Sequence, residues 1–534
     1  MTLFYSRLPF ACRGQHELAE SWSTWIGTVF YEILPGHGFE IREEQIYTAF
    51  QIATAMQQRG VHLAEAGLGT GKTKAANRHH EARDFIICDH EFFFADLWSR
   101  EEREADGQRP FLPEYSGVIF DEGHKIFLPA SRAAGKKLVR AALEQLLLRL
   151  EKVPDARDAL LEAIVAVEDA AEAFYRTLAA CLSGDRRTER LTVQISPKLK
   201  KEAQALLTEL RRLEFELETE RSLYTEHLSP ALLRLYDQRI AAFSEGMRLI
   251  VNDTGETVVW LERADESLRV LPRGLEAFFA EHLFKRRIPV ILSSASLSTG
   301  GDFRYLAAKL GLDNRGPVKL TASSGGSPFV PEEQVLVYLP EEVNSAYDQL
   351  LQLLTLSRGR ALVLTAGLPE VRQIRAALKD ELVGLPFKVL WEDQADRAYL
   401  LQTFKQDLSS VLVGSSFWEG IDVPGEALSL LVIWSLPFPP SDPLLDSLRR
   451  AAVARGADPA EAVDYPEMAL RLKQGCGRLI RTRTDRGVIA VLAPVRATPW
   501  EKDVLAVLPE GAPLTKRMAD VEAFFARTYS QSDR

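Results

Sequence analysis

The sequence predicts an α/β fold of two parallel-sheet domains, the first carrying a mostly helical insertion. Three observations predict it. Short apolar runs alternate with helical stretches over residues 61–130 and again over 326–534, the pattern of strands joined by crossover helices. Between these two regions, residues 131–280 are dominated by leucines at helical spacing. Glycine-rich or acidic residues also follow directly on several apolar runs, at the strand edge where open α/β sheets bind ligands. The expected boundaries are 1–130, completed by 281–325, for the first domain, 131–280 for the insertion and 326–534 for the second domain.

At 534 residues the chain is too long for one core, and roughly three or four domains are expected. Its 46% hydrophobic and 26% charged residues are ordinary for a globular protein. No apolar run approaches the ~18 residues that span a bilayer, and the first 14 residues lack a signal-peptide core, so a cytoplasmic protein with no membrane partner is expected. The net charge of -10 argues against indiscriminate coating of nucleic acid while leaving room for a local basic channel. Cys12, Cys88, Cys181 and Cys476 are too scattered for a disulfide framework or a four-thiolate site to be read from spacing, and reduced thiols are expected.

Residues 1–37 carry little signal beyond an aromatic, amphipathic stretch over 22–34. A helical pattern of Ile46, Phe50, Ile52 and Met56 then follows Arg42 and Gln45. Those two side chains suit an adenine edge, although singly they also fit a solvated helix start.

The apolar run at 61–64 leads into residues 66–73, AGLGTGKT. Gly67, Gly69 and Gly71, with Thr70 between them, let the backbone turn tightly and aim successive N–H groups inward. Lys72 adds a mobile positive charge and Thr73 a hydroxyl for Mg²⁺, which is the chemistry of a phosphate-binding loop opening a helix. Ala66 stands where the first glycine usually does, and alone the stretch also fits a glycine-rich turn with an accidental lysine. The expected helix beyond it, over 74–84, offers only three alanines to a sheet and looks wrong for its place.

A strand at 85–88 is followed by an aromatic segment at 90–98 and a polar loop to Leu112. Residues 117–124, GVIFDEGH, form an apolar strand ending in two carboxylates. At that edge Asp121 can hold Mg²⁺ while Glu122 polarises an attacking water. The helical block that follows is closed by a hairpin, 257–261 against 268–271, and a minority of its cations (Lys198, Lys200, Lys201, Arg211, Arg212) are candidates for a nucleic-acid path. Strand character returns at 289–292 before a hydroxyl-rich turn over 293–298.

In the second domain, strands near 335–339, 361–364, 387–390, 410–413, 428–434 and 488–492 alternate with helices, predicting a second parallel sheet. At its strand ends lie residues 415–425 and 474–481. On one helix Gln474, Arg478 and Arg481 would share a face, so that two guanidiniums and an amide point together at a phosphate from the other domain.

Taken in order, Arg42 and Gln45, 66–73, the Asp121-Glu122-Gly123-His124 box, 293–297, 415–425 and 474–481 resemble the motifs of superfamily 2 DNA helicases of the DinG/XPD-like group. The resemblance covers nearly the whole chain, with Gly123 in place of the common alanine. It implies two RecA-like domains with an arch-like insertion, and a motor that hydrolyses ATP with Mg²⁺ in the cleft between them while single-stranded DNA crosses both, usually 5′ to 3′. By motif match, Lys72 and Thr73 would hold phosphate and metal, Asp121 the metal and Glu122 the nucleophilic water. Arg478 and Arg481, with Gln474, would reach the γ-phosphate, and Gly420 and Asp422 would lie at the nucleotide. DNA repair or replication is the implied setting.

Lys72 and Asp121 lie 49 residues apart, where the group normally fits a DNA-contacting segment and an iron–sulfur domain held by four cysteines. Only Cys88 falls in the interval, so no cluster is expected and an internal loss near 75–84 is inferred. Two functions therefore compete: a DNA-stimulated ATPase and helicase, and a relative that binds ATP and single strands but is impaired in unwinding.

Overall fold

The computed structural model describes residues 2–5, 26, 29–33, 43–58, 61–66, 85–105, 107–183, 188–272, 274–312, 320–325, 329–341, 345–421, 423, 425 and 427–532. Three sheets organise it, one per predicted region.

The first sheet has six strands, β1 (Thr2–Tyr5), β2 (Val61–Ala66), β3 (Phe85–Cys88), β4 (Gly117–Asp121), β10 (Val290–Ser294) and β11 (Leu320–Gly325), in the order β11-β2-β10-β4-β1-β3. β10 is parallel to both β2 and β4, with Ser293 opposite Ala64 on one side and Asp121 on the other. That register brings the ends of β2, β4 and β10 to one edge. Buried Val118, Phe120, Val290, Ile291 and Leu292 explain why β4 and β10 read as continuous apolar runs, since both faces of a parallel sheet are covered.

Two features of this sheet depart from expectation. β1, unsuspected in the sequence, lies antiparallel between β4 and β3, and so places β3 at the edge of the sheet among the described residues. The aromatic segment and polar loop predicted over 90–112 include one continuous helix instead. It is the second of the two helices α1 (Glu43–Gln58) and α2 (His90–Ala105). Its polar half holds together because buried Arg100 pairs with buried Asp96 (2.8 Å), and the pair fastens to the backbone N–H and C=O of Leu112. The weak helix expected over 74–84 lies outside the described residues.

The insertion follows α3 (Phe127–Ala134). It contains α4 (Arg140–Glu151), α5 (Asp158–Ala180), α6 (Pro197–Thr219) and α7 (Pro230–Val251). Ser196 and Ser229 cap α6 and α7 by accepting from Leu199 and Leu232 N–H, each with proline in the first turn. The leucine stripes of α4 to α7 make one core. The predicted hairpin is found as β8 (Val258–Glu262) and β9 (Ser267–Leu271), but it does not stand alone. With β5 (Lys136–Val139), β6 (Leu182–Ser183) and β7 (Arg190–Val193) it forms a five-stranded antiparallel sheet, as expected for a hairpin too short to be stable by itself. Two proposed DNA-path cations are spent internally: Lys200 donates to the Asp253 carbonyl (2.6 Å) and Arg212 pairs with Glu162 (3.2 Å).

The second sheet is parallel throughout, in the order β14-β15-β13-β16-β17-β12-β18. Its strands are β12 (Val335–Tyr338), β13 (Ala361–Leu364), β14 (Val389–Trp391), β15 (Val411–Gly414), β16 (Leu430–Ile433), β17 (Gly487–Val491) and β18 (Leu514–Thr515). α8 (Arg304–Lys309) packs Leu306 into the core of the first sheet, whereas α9 (Pro443–Ala454) and α10 (Tyr465–Cys476) follow β16 of the second. Among the described residues no helix is long and apolar enough to cross a membrane.

Candidate functional site between the two sheets

The edge formed by β4 and β10 faces α10, and the contact is built from small polar groups. After β4 the backbone turns sharply at Glu122, whose φ of 51° and ψ of 49° lie in the left-handed region. For a residue with a Cβ this costs about 1–3 kcal/mol, strain of the kind that gathers at functional sites. The next residue must be glycine here: a Cβ on Gly123 would stand 2.8 Å from the Leu292 Cβ and 3.2 Å from its Cα. The turn therefore packs directly on β10, and Glu122 is aimed along that strand.

A chain of hydrogen bonds runs from Glu122 across the cleft. Ser294 Oγ donates to Glu122 Oε2 (3.1 Å), and His124 Nδ1 lies 2.7 Å from Ser294 Oγ. Gln474 Nε2 on α10 lies 3.1 Å from His124 Nε2 and donates to Ser296 Oγ (2.7 Å). An amide nitrogen only donates, so with this amide orientation His124 Nε2 accepts and the ring proton sits on Nδ1. Burial lowers the His124 pKa below its ordinary value, against the opposing pull of Glu122, which keeps the ring neutral at physiological pH. Two polar groups are left over. Gln474 Oε1 is buried without a partner among the described residues. Asp121, half-buried at the end of β4, shows no hydrogen bond or ion pair among them either.

Further contacts join the two halves. Lys125 Nζ pairs with Glu419 Oε2 at 2.6 Å, and Lys473 Nζ donates to the Ser298 carbonyl (3.2 Å). Deeper in, Glu467 of α10 receives both Lys309 Nζ (2.6 Å) and the Tyr305 hydroxyl (2.5 Å) from α8. Burial raises the Glu467 carboxyl, but Lys309 and Tyr305 outweigh it and hold its pKa below the usual range. The insertion reaches the second half as well, through Arg190 to Asp442 (2.7 Å) and Thr192 to Asp446 (2.8 Å) at the start of α9.

The arginines differ from the sequence reading in one respect. α10 ends at Cys476 and Gly477 is its C-cap, so Gln474, Arg478 and Arg481 do not share one helical face. Gly475 approaches the Trp418 ring so closely that a Cβ would meet it at 2.7 Å, and the chain leaves the helix in a turn there. Gln474 alone points into the cleft network. Arg478 donates to the Ile421 carbonyl (2.8 Å) and the Trp418 carbonyl (3.2 Å), and Arg481 Nη2 to the Ile421 carbonyl (3.1 Å). Gly420, with a φ of 74°, turns the same loop, and the neighbouring Glu419 carbonyl accepts from Arg397 (2.8 Å).

Of the other predicted residues, Arg42, Gly67, Gly69, Thr70, Gly71, Lys72, Thr73 and Asp422 lie outside the described residues. Gln45 lies in the first turn of α1. The sequence reading singled out neither His124, Lys125 nor Glu419 as site residues. The first two sit within or beside the acidic box, the one signal that points to them.

Comparison with known proteins agrees with this architecture. A helicase C-terminal domain family matches residues 350–510. The probable ATP-dependent helicase YpvA of Bacillus subtilis is 27% identical, with 94% of this chain and 99% of the relative covered. Its match extends over 651 residues, whereas 94% of 534 is about 502, so about 150 positions find no residue in this chain. The ATP-dependent DNA helicase YoaA of Haemophilus influenzae is 29% identical over 80% of this chain and 66% of its own length. The ATP-dependent helicase DinG of Mycobacterium tuberculosis is 36% identical over 45% of this chain and 38% of its own length. Among solved structures, S. tokodaii Xpd4 matches with a TM-score of 0.53 and 15% identity, covering 89% of this chain and all of that one. Residues 350–510 thus match a helicase C-terminal domain family, and most of the chain is similar to ATP-dependent helicases named YpvA and YoaA, with a fold like that of Xpd4.

Proposed function

We propose that the protein is an ATP-dependent DNA helicase whose hydrolysis is stimulated by single-stranded DNA and which moves 5′ to 3′ in DNA repair or replication. The observation that carries the reading is the hydrogen-bonded path from Glu122 through Ser294 and His124 to Gln474, because it ties a candidate hydrolytic carboxylate on one sheet to a helix of the other. Opening or closing the cleft breaks or makes that path.

In this reading residues 1–130 with 281–325 and residues 326–534 are the two RecA-like motor domains, and 131–280 is the arch. Arg42 and Gln45 hold the adenine, Gly67 to Gly71 with Thr70 cradle the phosphates, and Lys72 neutralises them. The Asp121 carboxylate, without a partner among the described residues, suits a metal ion, and the buried Gln474 Oε1, an acceptor left without a donor among them, suits the attacking water. Thr73 and Asp121 are the residues that would hold Mg²⁺, which supplies charge neutralisation on the phosphates when bound. Glu122 orients and polarises the attacking water. Arg478 and Arg481 leave the carbonyls of Trp418 and Ile421 to reach the charge that builds on the transferred phosphoryl group, while Gly420 and Asp422 shape the loop beside it. Ser294 Oγ donates to Glu122 and orients its carboxylate. No iron–sulfur cluster enters this scheme, since Cys88 is the only cysteine between Lys72 and Asp121.

A second reading, a relative that binds ATP and single strands but separates duplexes poorly, is favoured by a specific observation. β3 lies at the sheet edge, separated from β4 by the antiparallel β1, and only 18 residues, 67–84, link β2 to it.

Two assays test these readings. Lys72→Ala and Glu122→Gln are each expected to abolish DNA-stimulated ATP hydrolysis, and hydrolysis at the wild-type rate would overturn the assignment. Strand displacement on a duplex with a 5′ overhang then separates motor from binder: robust ATPase without displacement supports the second reading.

A further inference from the structure

The loop over residues 418–421 is gripped from two directions. Its own half of the chain takes three of its carbonyls: Arg478 holds Trp418 and Ile421, Arg481 holds Ile421, and Arg397 holds Glu419. Its one long charged side chain, Glu419, instead crosses the cleft to Lys125 at 2.6 Å. Lys125 follows His124 directly and ends the short turn that begins at Glu122. The carboxylate at 419 is charged at neutral pH: burial raises it, but the Lys125 hydrogen bond and charge hold it below the usual range.

We propose that Lys125 is a positioning residue for ATP hydrolysis, its ion pair with Glu419 holding the 418–421 loop, and with it Arg478 and Arg481, against the face that carries Glu122. This rests on the ATPase reading above. The pair spans the two halves, so it favours their docked arrangement without contributing to the core of either. Lys125 and Glu419 are 50% and 41% exposed. The pair is therefore worth what surface pairs are worth, about a two- to fivefold bias toward the docked arrangement. A nucleotide that binds only the docked arrangement has an apparent affinity reduced by the docked fraction, so the bias reaches KM in full where the undocked arrangement predominates in the free protein. Saturating ATP restores docking, so kcat does not change. Screening removes the effect as salt rises, because the pair is open to solvent.

The test is steady-state ATP hydrolysis with single-stranded DNA at about 50 mM and about 0.5 M salt. For Lys125→Gln the expected result at low salt is a KM for ATP raised about two- to fivefold with kcat and the thermal midpoint unchanged. The difference shrinks at high salt, and Lys125→Arg behaves as wild type. The exchange Lys125→Glu with Glu419→Lys recovers most of the loss seen in either single change. A KM for Lys125→Gln equal to wild type at low salt, or an exchange no better than the single changes, overturns the proposal. Lys72→Ala in the same assay keeps the two failures apart. If it hydrolyses ATP normally, the ATPase reading has failed. If it is dead while Lys125→Gln is silent, only the positioning role has.

Discussion

Replacing Gln474 with alanine separates a catalytic linkage from a merely structural contact, because the two give different magnitudes. The substitution removes the hydrogen bonds to His124 (3.1 Å) and Ser296 (2.7 Å), together about 2 kcal/mol at the usual net value. It also removes the buried, unpartnered Oε1, whose burial costs about 1–3 kcal/mol. For the protein alone the two nearly cancel, so urea unfolding should shift by less than about 1 kcal/mol. In turnover, where the attacking water is expected to donate to Oε1, the cancellation disappears. The full loss of about 2 kcal/mol then corresponds to roughly thirtyfold in DNA-stimulated ATPase rate at 1.4 kcal/mol per decade. The assay is steady-state hydrolysis beside urea denaturation on the same preparation. An ATPase within about twofold of wild type, or a stability loss of 2 kcal/mol or more, would refute the reasoning.

Three other outcomes follow from the same geometry. Gly123→Ala supplies the alanine that the sequence resemblance implies at this position but drives a Cβ to 2.8 Å from the Leu292 Cβ. It should destabilise by about 1–3 kcal/mol in urea unfolding, with no gain from its better helix propensity. Glu467→Gln strips Lys309 of its carboxylate while the ammonium stays near the Phe127 ring (4.2 Å). A loss of about 3–5 kcal/mol is expected, largely recovered when Lys309→Met is added. For His124, burial sets the folded pKa below the ordinary value of 6.5, so the unfolded chain takes up its proton first as pH falls. The contribution to stability is present in full above pH 6.5 and is lost progressively below it. The drop in melting temperature between about pH 8 and pH 5.5 should be smaller in His124→Asn than in wild type.

Much of this protein could be read without coordinates because its strands are buried on both faces. Runs such as Val118 to Phe120, Val290 to Leu292 and Leu430 to Ile433 are apolar throughout, as strands covered on both faces require. The leucine stripes of α4, α6 and α7 were equally plain, since each has only one face to bury. Chemistry placed directly after such strands, as at Asp121 and Glu122, inherits the same legibility. β1 was not legible, because four residues say nothing of the strand they will pair with. Nor was α2, whose second half reads as solvent-facing although buried Arg100 anchors it.

The sequence by itself determined the parallel second sheet, the parallel strands of the first, the helical block between them and the acidic strand end, all through local periodicity and the chemistry of single turns. Only the tertiary structure decided which side chains share the cleft. α10 stops at Cys476, with Gly475 packed against the Trp418 ring, leaving Gln474 to cross to His124 and Ser296 while the arginines rest on the 418–421 loop. Contacts between residues hundreds of positions apart depend on how two cores dock, and no local pattern records that.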